Sequence, residues 1–296
     1  MLLGALEAGG TKMVMAIGDE KGKIFEQVSI PTNTPSETIP KITSYFKEKH
    51  IDALGVGCFG PIDLDRKSKT YGYITSTPKL AWSDYNIVGS LKSALSVPIG
   101  FDTDVNASVL GEAIWGSIKD LSSGVYITIG TGIGVGVYLN GSLLHGMLHP
   151  EAGHIFMNRH PEDTFKGVCP YHPNCLEGLA SGPSIEKRYH TKAYKLQSNE
   201  KVWEIEAYYI AQGIVNLILT FSPHKIVLGG GVMKQKQLYP LIRDQVLKLL
   251  NGYIKTPQLN DIDNYIVSAT LDDKQGILGC LELARLEYYS ANCSSF

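Results

Sequence analysis

Three glycine-rich turns, each directly after a short apolar segment, constrain this sequence more than any other feature. They are Gly9-Gly10-Thr11, Gly130-Thr131-Gly132 and Gly229-Gly230-Gly231. Glycine lets the backbone approach a ligand closely and adopt positive φ, so that several N–H groups can point at one anion. Each turn alone is equally consistent with a tight hairpin. Three of them, each after a predicted strand, favour the binding of nucleotide phosphates.

The sequence lacks two other common phosphate-binding motifs. It contains no Gly-x-x-x-x-Gly-Lys-Ser/Thr segment, and no dinucleotide fingerprint opens a βαβ unit. A nucleotide would therefore be held by turns of a different kind.

Strand and helix patterns alternate along the chain. Residues 2–30 predict three strands, and a helix is predicted from the N-cap Thr34 to about Lys49. A second half begins near Gly124 with another strand, glycine turn and strand. The alternation indicates an α/β protein made of two halves.

The composition excludes several classes of protein. With 27 basic and 29 acidic residues the formal net charge is −2, so the chain offers no basic surface for nucleic acid or a membrane. No apolar run reaches the roughly 20 residues that cross a bilayer, and Met1–Ala8 lacks the features of a signal peptide. Five cysteines do not indicate a disulfide framework. We therefore expect a cytoplasmic protein.

Four residues have the spacing of a zinc site. His154, Cys169, His172 and Cys175 follow the pattern H-x14-C-x2-H-x2-C within a segment rich in Gly and Pro. Two Cys and two His at short spacing suit tetrahedral Zn²⁺. Because four protein ligands leave no open position, we predict a structural metal.

Asp102-Thr103-Asp104-Val105-Asn106 lies between a predicted strand and a predicted helix. Phosphoryl transfer to a hydroxyl needs a carboxylate that accepts the proton, and a helix N-terminus would keep Asp104 ionised. An aspartate here is also typical of a plain N-cap. The residues alone leave both interpretations open.

The order of the glycine turns, with Leu6-Glu7-Ala8-Gly9-Gly10-Thr11-Lys12 at the start, resembles the ROK family (repressors, open reading frames and sugar kinases) over essentially the whole chain. The resemblance implies an α/β fold of two RNase-H-like domains, as in actin-like ATPases and hexokinases, with the active site in the cleft. We expect an N-terminal domain over 1–117, completed by a C-terminal helix at about 275–296. A C-terminal domain over 118–274 would carry the zinc loop.

The resemblance also implies roles for particular residues. Asp104 would be the catalytic base. Glu7, at a position where the family usually has Asp, would place a carboxylate near Mg²⁺. Thr11, Lys12 and Thr131 would approach the phosphates and Gly229 to Gly231 the adenosine. The predicted ATP-binding residues are therefore Gly9, Gly10, Thr11, Lys12, Gly130, Thr131, Gly132, Gly229, Gly230 and Gly231.

Sugar contacts are implied around the metal loop. Glu151-Ala152-Gly153-His154 resembles the family's Glu-x-Gly-His, and Cys175-Leu176-Glu177 resembles its Cys-x-Glu. The predicted substrate-binding residues are Asn106, Glu151, His154 and Glu177. Glu151 and Glu177 could equally be solvent-facing charges. Trp82 lies in a stretch that contacts sugar in relatives, although a packed aromatic is an alternative.

His172 stands where many family members have Cys, a pattern that resembles the fructokinase branch. The resemblance therefore implies an ATP-dependent fructokinase, with Mg²⁺ bound to ATP, structural Zn²⁺ and a homodimeric state. A kinase for mannose, glucose or an amino sugar is an alternative, as is a catalytically silent sensor. A repressor would need a DNA-binding helix-turn-helix before the first glycine turn. Because only eight residues precede Gly9, we expect no repressor.

Overall fold

Mixed α/β structure extends through the chain in the computed structural model, which describes residues 1–293. The strands are β1 (Leu3–Ala8), β2 (Lys12–Gly18), β3 (Ile24–Pro31), β4 (Ala53–Cys58), β5 (Tyr73–Ile74), β6 (Tyr85–Asn86), β7 (Ile99–Thr103), β8 (Ser123–Ile129), β9 (Ile133–Leu139), β10 (Ser142–Leu143), β11 (Ile226–Gly229) and β12 (Ile266–Ser268). The helices are α1 (Pro35–Lys49), α2 (Ile87–Leu95), α3 (Asp104–Trp115), α4 (Leu176–Ala180), α5 (Gly182–Tyr189), α6 (Glu200–Phe221), α7 (Leu238–Leu250), α8 (Pro257–Asn260), α9 (Ile262–Tyr265) and α10 (Gln275–Cys293). Within residues 1–293, none of these helices is both long enough and apolar enough to cross a membrane.

Two five-stranded sheets repeat one topology. Their strand orders are β3-β2-β1-β4-β7 and β10-β9-β8-β11-β12, and β5 pairs with β6 separately. In the first sheet β1 pairs antiparallel with β2 and parallel with β4, which pairs parallel with β7. In the second, β8 pairs antiparallel with β9 and parallel with β11, which pairs parallel with β12. This repetition agrees with the predicted fold of two related α/β halves.

The chain divides into two compact units. Among the described residues, the first contains 1–120, 142–150 and 271–293, and the second contains 121–141 and 151–270. The first unit is thus completed by α10, while the segment Ser142–Pro150 falls in the first unit, where the sequence boundaries had placed it in the second. A break in chain order of this kind leaves no mark in local sequence patterns.

Close backbone packing explains the glycines in the first sheet. Every residue of β4 is buried, and α10 packs directly on β4 and β1. A Cβ on Gly55 would collide with the carbonyl oxygen of Cys280, and one on Gly279 would collide with that of Ala107. The helix can therefore approach the sheet and α3 only because these positions lack side chains.

The first helix begins at the predicted position without the predicted cap. Thr34 has the extended backbone of an N-cap residue, but its hydroxyl accepts no hydrogen bond from a backbone N–H group of the helix. Its Oγ1 instead lies 3.1 Å from Ser36 Oγ. Pro35 in the first turn and the buried side chains of Ile39 and Ile42 suffice to define α1.

A buried carboxyl group lies in the middle of α6. Glu206 is 1% exposed, and neither of its carboxyl oxygens has a hydrogen-bond partner among the described residues. Burial raises the pKa of Glu206 well above its usual value, although the positive charge of Arg188 opposes this shift. The folded protein therefore favours the neutral form of this group.

We predict that Glu206→Gln makes stability less dependent on pH. Because folding raises the pKa of Glu206, the folded state binds its proton more tightly than the unfolded state does. Its contribution to stability is thus present below the unfolded pKa and is lost as pH rises through the folded pKa. Urea unfolding at pH 6 and pH 9 should show a smaller loss of unfolding free energy in the variant. The exposed neighbour Glu204, changed to Gln, is the matched control. Equal losses in both variants and the wild type would contradict this prediction.

Candidate functional site

The predicted site residues of the first unit lie where its parallel strands end. The first glycine turn follows β1, Phe59–Pro61 follows β4, and Asp104 follows β7. Because β1, β4 and β7 run parallel, their carboxyl ends meet at the same edge of the sheet. In open α/β sheets this edge is where ligands bind.

Hydrogen bonds fix the first glycine turn. Gly9 N–H donates to the carbonyl oxygen of Lys12 at 3.1 Å, and Thr32 Oγ1 donates to the carbonyl oxygen of Gly9 at 2.7 Å. Thr11 and Lys12 are exposed. A Cβ on Gly10 would lie 3.2 Å from Lys79 Cε, so a second lysine stem crosses this turn. The stem of Lys79 thus lies against the turn that carries the exposed Lys12.

Glu7 lies at the end of β1, against the first turn of α10. A Cβ on Gly276 would lie 2.8 Å from its carboxyl group, so glycine at 276 makes room for a side chain longer than aspartate. Burial raises the pKa of Glu7, while the positive charge of Lys12 opposes the shift and Asp273 adds to it. A divalent cation at this carboxylate would favour its ionised form.

Asp104 is the first residue of α3, but it does not cap the helix. Thr103 Oγ1 accepts a hydrogen bond from Asn106 N–H at 3.0 Å and is the N-cap. Asp104 Oδ1 accepts a hydrogen bond from Val105 N–H at 2.9 Å. Because Thr103 caps α3, helix capping does not explain the aspartate at position 104. The carboxylate of Asp104 is half-buried and can act as a base.

Asn106 is enclosed behind this edge. The residue is 0% exposed, and its Nδ2 donates to Asp102 Oδ1 at 2.7 Å. Asp102 Oδ2 lies 2.8 Å from His145 Nε2. The hydrogen bond to Asp102 raises the pKa of His145 above its usual value. Because Asn106 is fully buried, its position suits a residue that supports the carboxyl edge of the first sheet better than one that contacts a sugar directly.

The other two glycine turns lie side by side in the second unit. Gly130-Thr131-Gly132 joins β8 to β9, and the third turn follows β11, the parallel neighbour of β8. A Cβ on Gly130 would lie 3.8 Å from Gly231 N. Gly230 has φ +89° and lies against Ile129, so a side chain there would be strained. Their backbones form one glycine-lined surface.

The four predicted metal ligands come together in the second unit. One ligand atom from each of His154, Cys169, His172 and Cys175 lies within 4.8 Å of the others. Cys169 Sγ is 3.8 Å from Nδ1 of both histidines, and Cys175 Sγ is 3.6 Å from His154 Nδ1. Tetrahedral Zn²⁺ with the usual bond lengths separates sulfur and nitrogen ligands by about 3.6 Å.

The donor set therefore fits zinc. Burial raises the pKa of the Cys175 thiol to about 12, a shift that a bound cation reverses. Gly178 N–H donates to Cys175 Sγ at 3.3 Å, as expected around a thiolate ligand. A Cβ on Gly178 would lie 3.1 Å from Cys169 Cβ, so glycine allows the two cysteines to approach.

Glu177 connects the metal loop with the second glycine turn. Its Oε2 accepts a hydrogen bond from Ile133 N–H at 2.9 Å, and a Cβ on Gly132 would lie 2.6 Å from that oxygen. Glu151 directly precedes the short helical turn Ala152–His154, where His154 N–H donates to its carbonyl oxygen at 2.9 Å. Glu177 is therefore structurally engaged. Burial raises the pKa of the Glu151 carboxyl group to about 7, and the negative charge of Glu177 adds to this shift.

The chain matches a known protein family along almost its entire length. The sequence model of the ROK family covers residues 3–287. The chain belongs to the ROK family. The family assignment and the predicted α/β fold of two RNase-H-like halves are thus confirmed.

Individual relatives cover this ROK protein almost completely. It is 49% identical to the fructokinase of Lactococcus lactis subsp. cremoris, over 91% of this chain and 92% of that protein. It is 47% identical to the fructokinase of Pediococcus pentosaceus, over 96% of this chain and 98% of the relative. The crystal structure of a ROK hexokinase from Thermus thermophilus matches with a TM-score of 0.79 at 26% identity, covering 98% and 100% of the two chains.

The structure places two residues of this ROK protein whose surroundings the sequence left open. Trp82 is 1% exposed and donates from Nε1 to the carbonyl oxygen of Asn33 at 2.7 Å, so it is a packed aromatic. His145 is exposed, and its ring contacts Asp102. The only local signal was its position in a His-rich stretch before Glu151.

Proposed function

We propose that this ROK protein is an ATP-dependent fructokinase. A hydroxyl oxygen of fructose attacks the γ-phosphorus of ATP, a new O–P bond forms, and the bond to ADP breaks. The products are fructose 6-phosphate and ADP. The observation that carries this proposal is the 47% and 49% identity, over more than nine-tenths of this chain, to two proteins named fructokinase.

The first unit supplies the acid–base chemistry in this proposal. Asp104 accepts the proton of the attacking hydroxyl, since a carboxylate at that position raises the nucleophilicity of the oxygen. The N–H group of Gly10, with Thr11 and Lys12, binds the phosphates of ATP, and Gly9, whose N–H donates to the carbonyl oxygen of Lys12, closes the turn around them. Asn106 supports the edge on which Asp104 lies.

The second unit supplies further ATP and sugar contacts. Thr131 and the glycines of its two turns bind phosphate and adenosine. The side chains of Glu151, His154 and Glu177 form hydrogen bonds with sugar hydroxyls. Zn²⁺, held by His154, Cys169, His172 and Cys175, would keep this loop ordered. A segment rich in Gly and Pro cannot reach the same order by packing alone. The chain would act as a homodimer in the cytoplasm.

Assaying ADP release with a panel of sugars tests the proposal. Fructose, mannose, glucose and glucosamine are supplied separately with ATP, and kcat/KM is compared. We expect the largest value for fructose. A larger value for another sugar would replace fructose by that substrate, and no ADP release with any sugar would favour a silent sensor.

We predict that turnover requires Mg²⁺ and that Zn²⁺ does not replace it. Mg²⁺ would arrive with ATP, because it bridges phosphate oxygens and prefers oxygen ligands such as the Glu7 carboxylate. The His and Cys cluster instead suits a soft ion in a closed site. ADP release is measured with the zinc-loaded protein, with and without Mg²⁺. Full activity without Mg²⁺ would contradict this prediction.

A further inference from the structure

The segment Ser142–Pro150 brings two histidines to the carboxyl edge of the first sheet. His149 is buried, and its Nε2 accepts a hydrogen bond from Ile62 N–H, shortly after β4, at 3.2 Å. His145 Nε2 lies 2.8 Å from Asp102 Oδ2 near the end of β7. The segment is therefore attached beside the ends of two neighbouring strands, at the edge that carries the proposed base.

Asp102 and His145 form a pair with one enclosed and one accessible member. The side chain of Asp102 is 3% exposed, whereas that of His145 is 42% exposed. Asp102 Oδ1 also accepts hydrogen bonds from Thr103 N–H at 2.8 Å and Asn106 Nδ2 at 2.7 Å. The carboxylate is thus held rigidly by the start of α3, and it fixes the orientation of the imidazole ring.

This arrangement leaves the second ring nitrogen for a ligand. Within residues 1–293, Nδ1 of His145 makes no hydrogen bond, because the contacts of this ring involve Nε2. A carboxylate that binds one ring nitrogen of a histidine fixes the direction in which the other nitrogen points. If His145 served only to neutralise Asp102, its ring would not need to remain accessible.

We propose that His145 binds a hydroxyl group of the sugar through Nδ1, and that Asp102 orients the ring. This inference rests on the proposed function and adds a residue to its sugar site. A hydroxyl group both donates and accepts hydrogen bonds, so it can pair with Nδ1 of the neutral ring or with Nδ1–H of the charged ring. A sugar suits this position better than a phosphate, because the Asp102 carboxylate lies directly behind the ring.

His145→Ala tests the assignment. We expect the fructose KM to rise about tenfold, the usual effect of losing one hydrogen bond to a bound polar group, while the ATP KM stays within twofold. His145→Gln should recover most of the fructose affinity. Its amide nitrogen can donate to Asp102 while its oxygen replaces Nδ1 as an acceptor.

Two control variants separate direct contact from loosening of the segment. Met147 is fully exposed on the same segment, so Met147→Ala should leave both KM values unchanged. His149→Ala removes the other attachment of the segment without removing the imidazole of His145. If His149→Ala reproduces the selective rise in fructose KM, segment order explains the effect and the assignment is wrong. Equal rises in both KM values for His145→Ala would also overturn it.

Failure of the proposed function can be recognised separately. If the wild-type chain turns over no sugar, the fructokinase proposal fails. Calorimetric titration of fructose into the wild-type and His145→Ala proteins then tests the assignment through binding alone. Weaker binding by His145→Ala would support the assignment. Equal binding, or no binding to either protein, would overturn it.

Discussion

Asp104→Asn should lower kcat by a factor of about 10²–10⁴, the usual effect of losing a general base. The substitution removes the proton acceptor but little else. In the wild-type protein Val105 N–H donates to Asp104 Oδ1 at 2.9 Å, and the side-chain oxygen of Asn can accept the same hydrogen bond. Thr103 continues to cap α3. The helix and the edge should therefore persist. The measurement is kcat for fructose phosphorylation, with circular dichroism and fructose binding as checks on the fold.

A control aspartate distinguishes this effect from a general change in charge. Asp120 is exposed, lies in the same unit and has φ +65°, a conformation that Asn also tolerates. Asp120→Asn should therefore leave kcat and stability unchanged. If Asp104→Asn kept kcat within a few-fold of the wild-type value, Asp104 would not be the base.

Cys175→Ser should remove the metal while preserving the start of α4. Cys175 Sγ accepts a hydrogen bond from Gly178 N–H, and a serine hydroxyl is a good N-cap, so the local hydrogen bond can be kept. Neutral oxygen is a much weaker zinc ligand than thiolate. We expect zinc content to fall from one ion per chain to none, with a lower Tm.

The kinetic consequence should fall mainly on the sugar. His154 is a predicted ligand of both metal and sugar, so the fructose KM should rise more than tenfold when the loop loses its ion. Glu177 also contacts Ile133 N–H beside the second glycine turn, so a smaller rise in ATP KM should accompany it. Cys293→Ser, at an exposed cysteine, is the matched control. Retention of one zinc ion, or a rise in ATP KM alone, would refute this account.

The sequence predicted those features whose residues lie close together along the chain. The ligands His154 to Cys175 lie within 22 residues, so their spacing was visible, and the structure brings them together. The three strands within residues 2–30 and the helix α1 were visible for the same reason, since their periodicity is local. The N-cap of α3 is also a local feature. The sequence suggested Asp104 as that cap, because aspartate is typical of the position, whereas the structure shows that Thr103 is the cap.

Contacts between distant residues left no such signal. His145 and Asp102 are 43 residues apart, and their hydrogen bond depends on the return of Ser142–Pro150 to the first unit. The contact between Glu177 and Ile133 spans 44 residues and depends on the metal loop packing against β9. In both pairs, neither the residue types nor their spacing along the chain indicates that the two residues are in contact.

The position of α10 has a consequence for biosynthesis. The first unit begins with β1 but is covered by a helix that the ribosome makes only after the entire second unit. Until then the close-packed glycine faces at Gly55 and Gly100, which α10 contacts, have no partner. At translation rates of about 5–20 residues per second, the 150 residues from Leu121 to Thr270 correspond to a delay of roughly 8–30 s. During that interval the sheet lacks the helix that packs on β1 and β4, so we expect chaperones to bind the nascent chain.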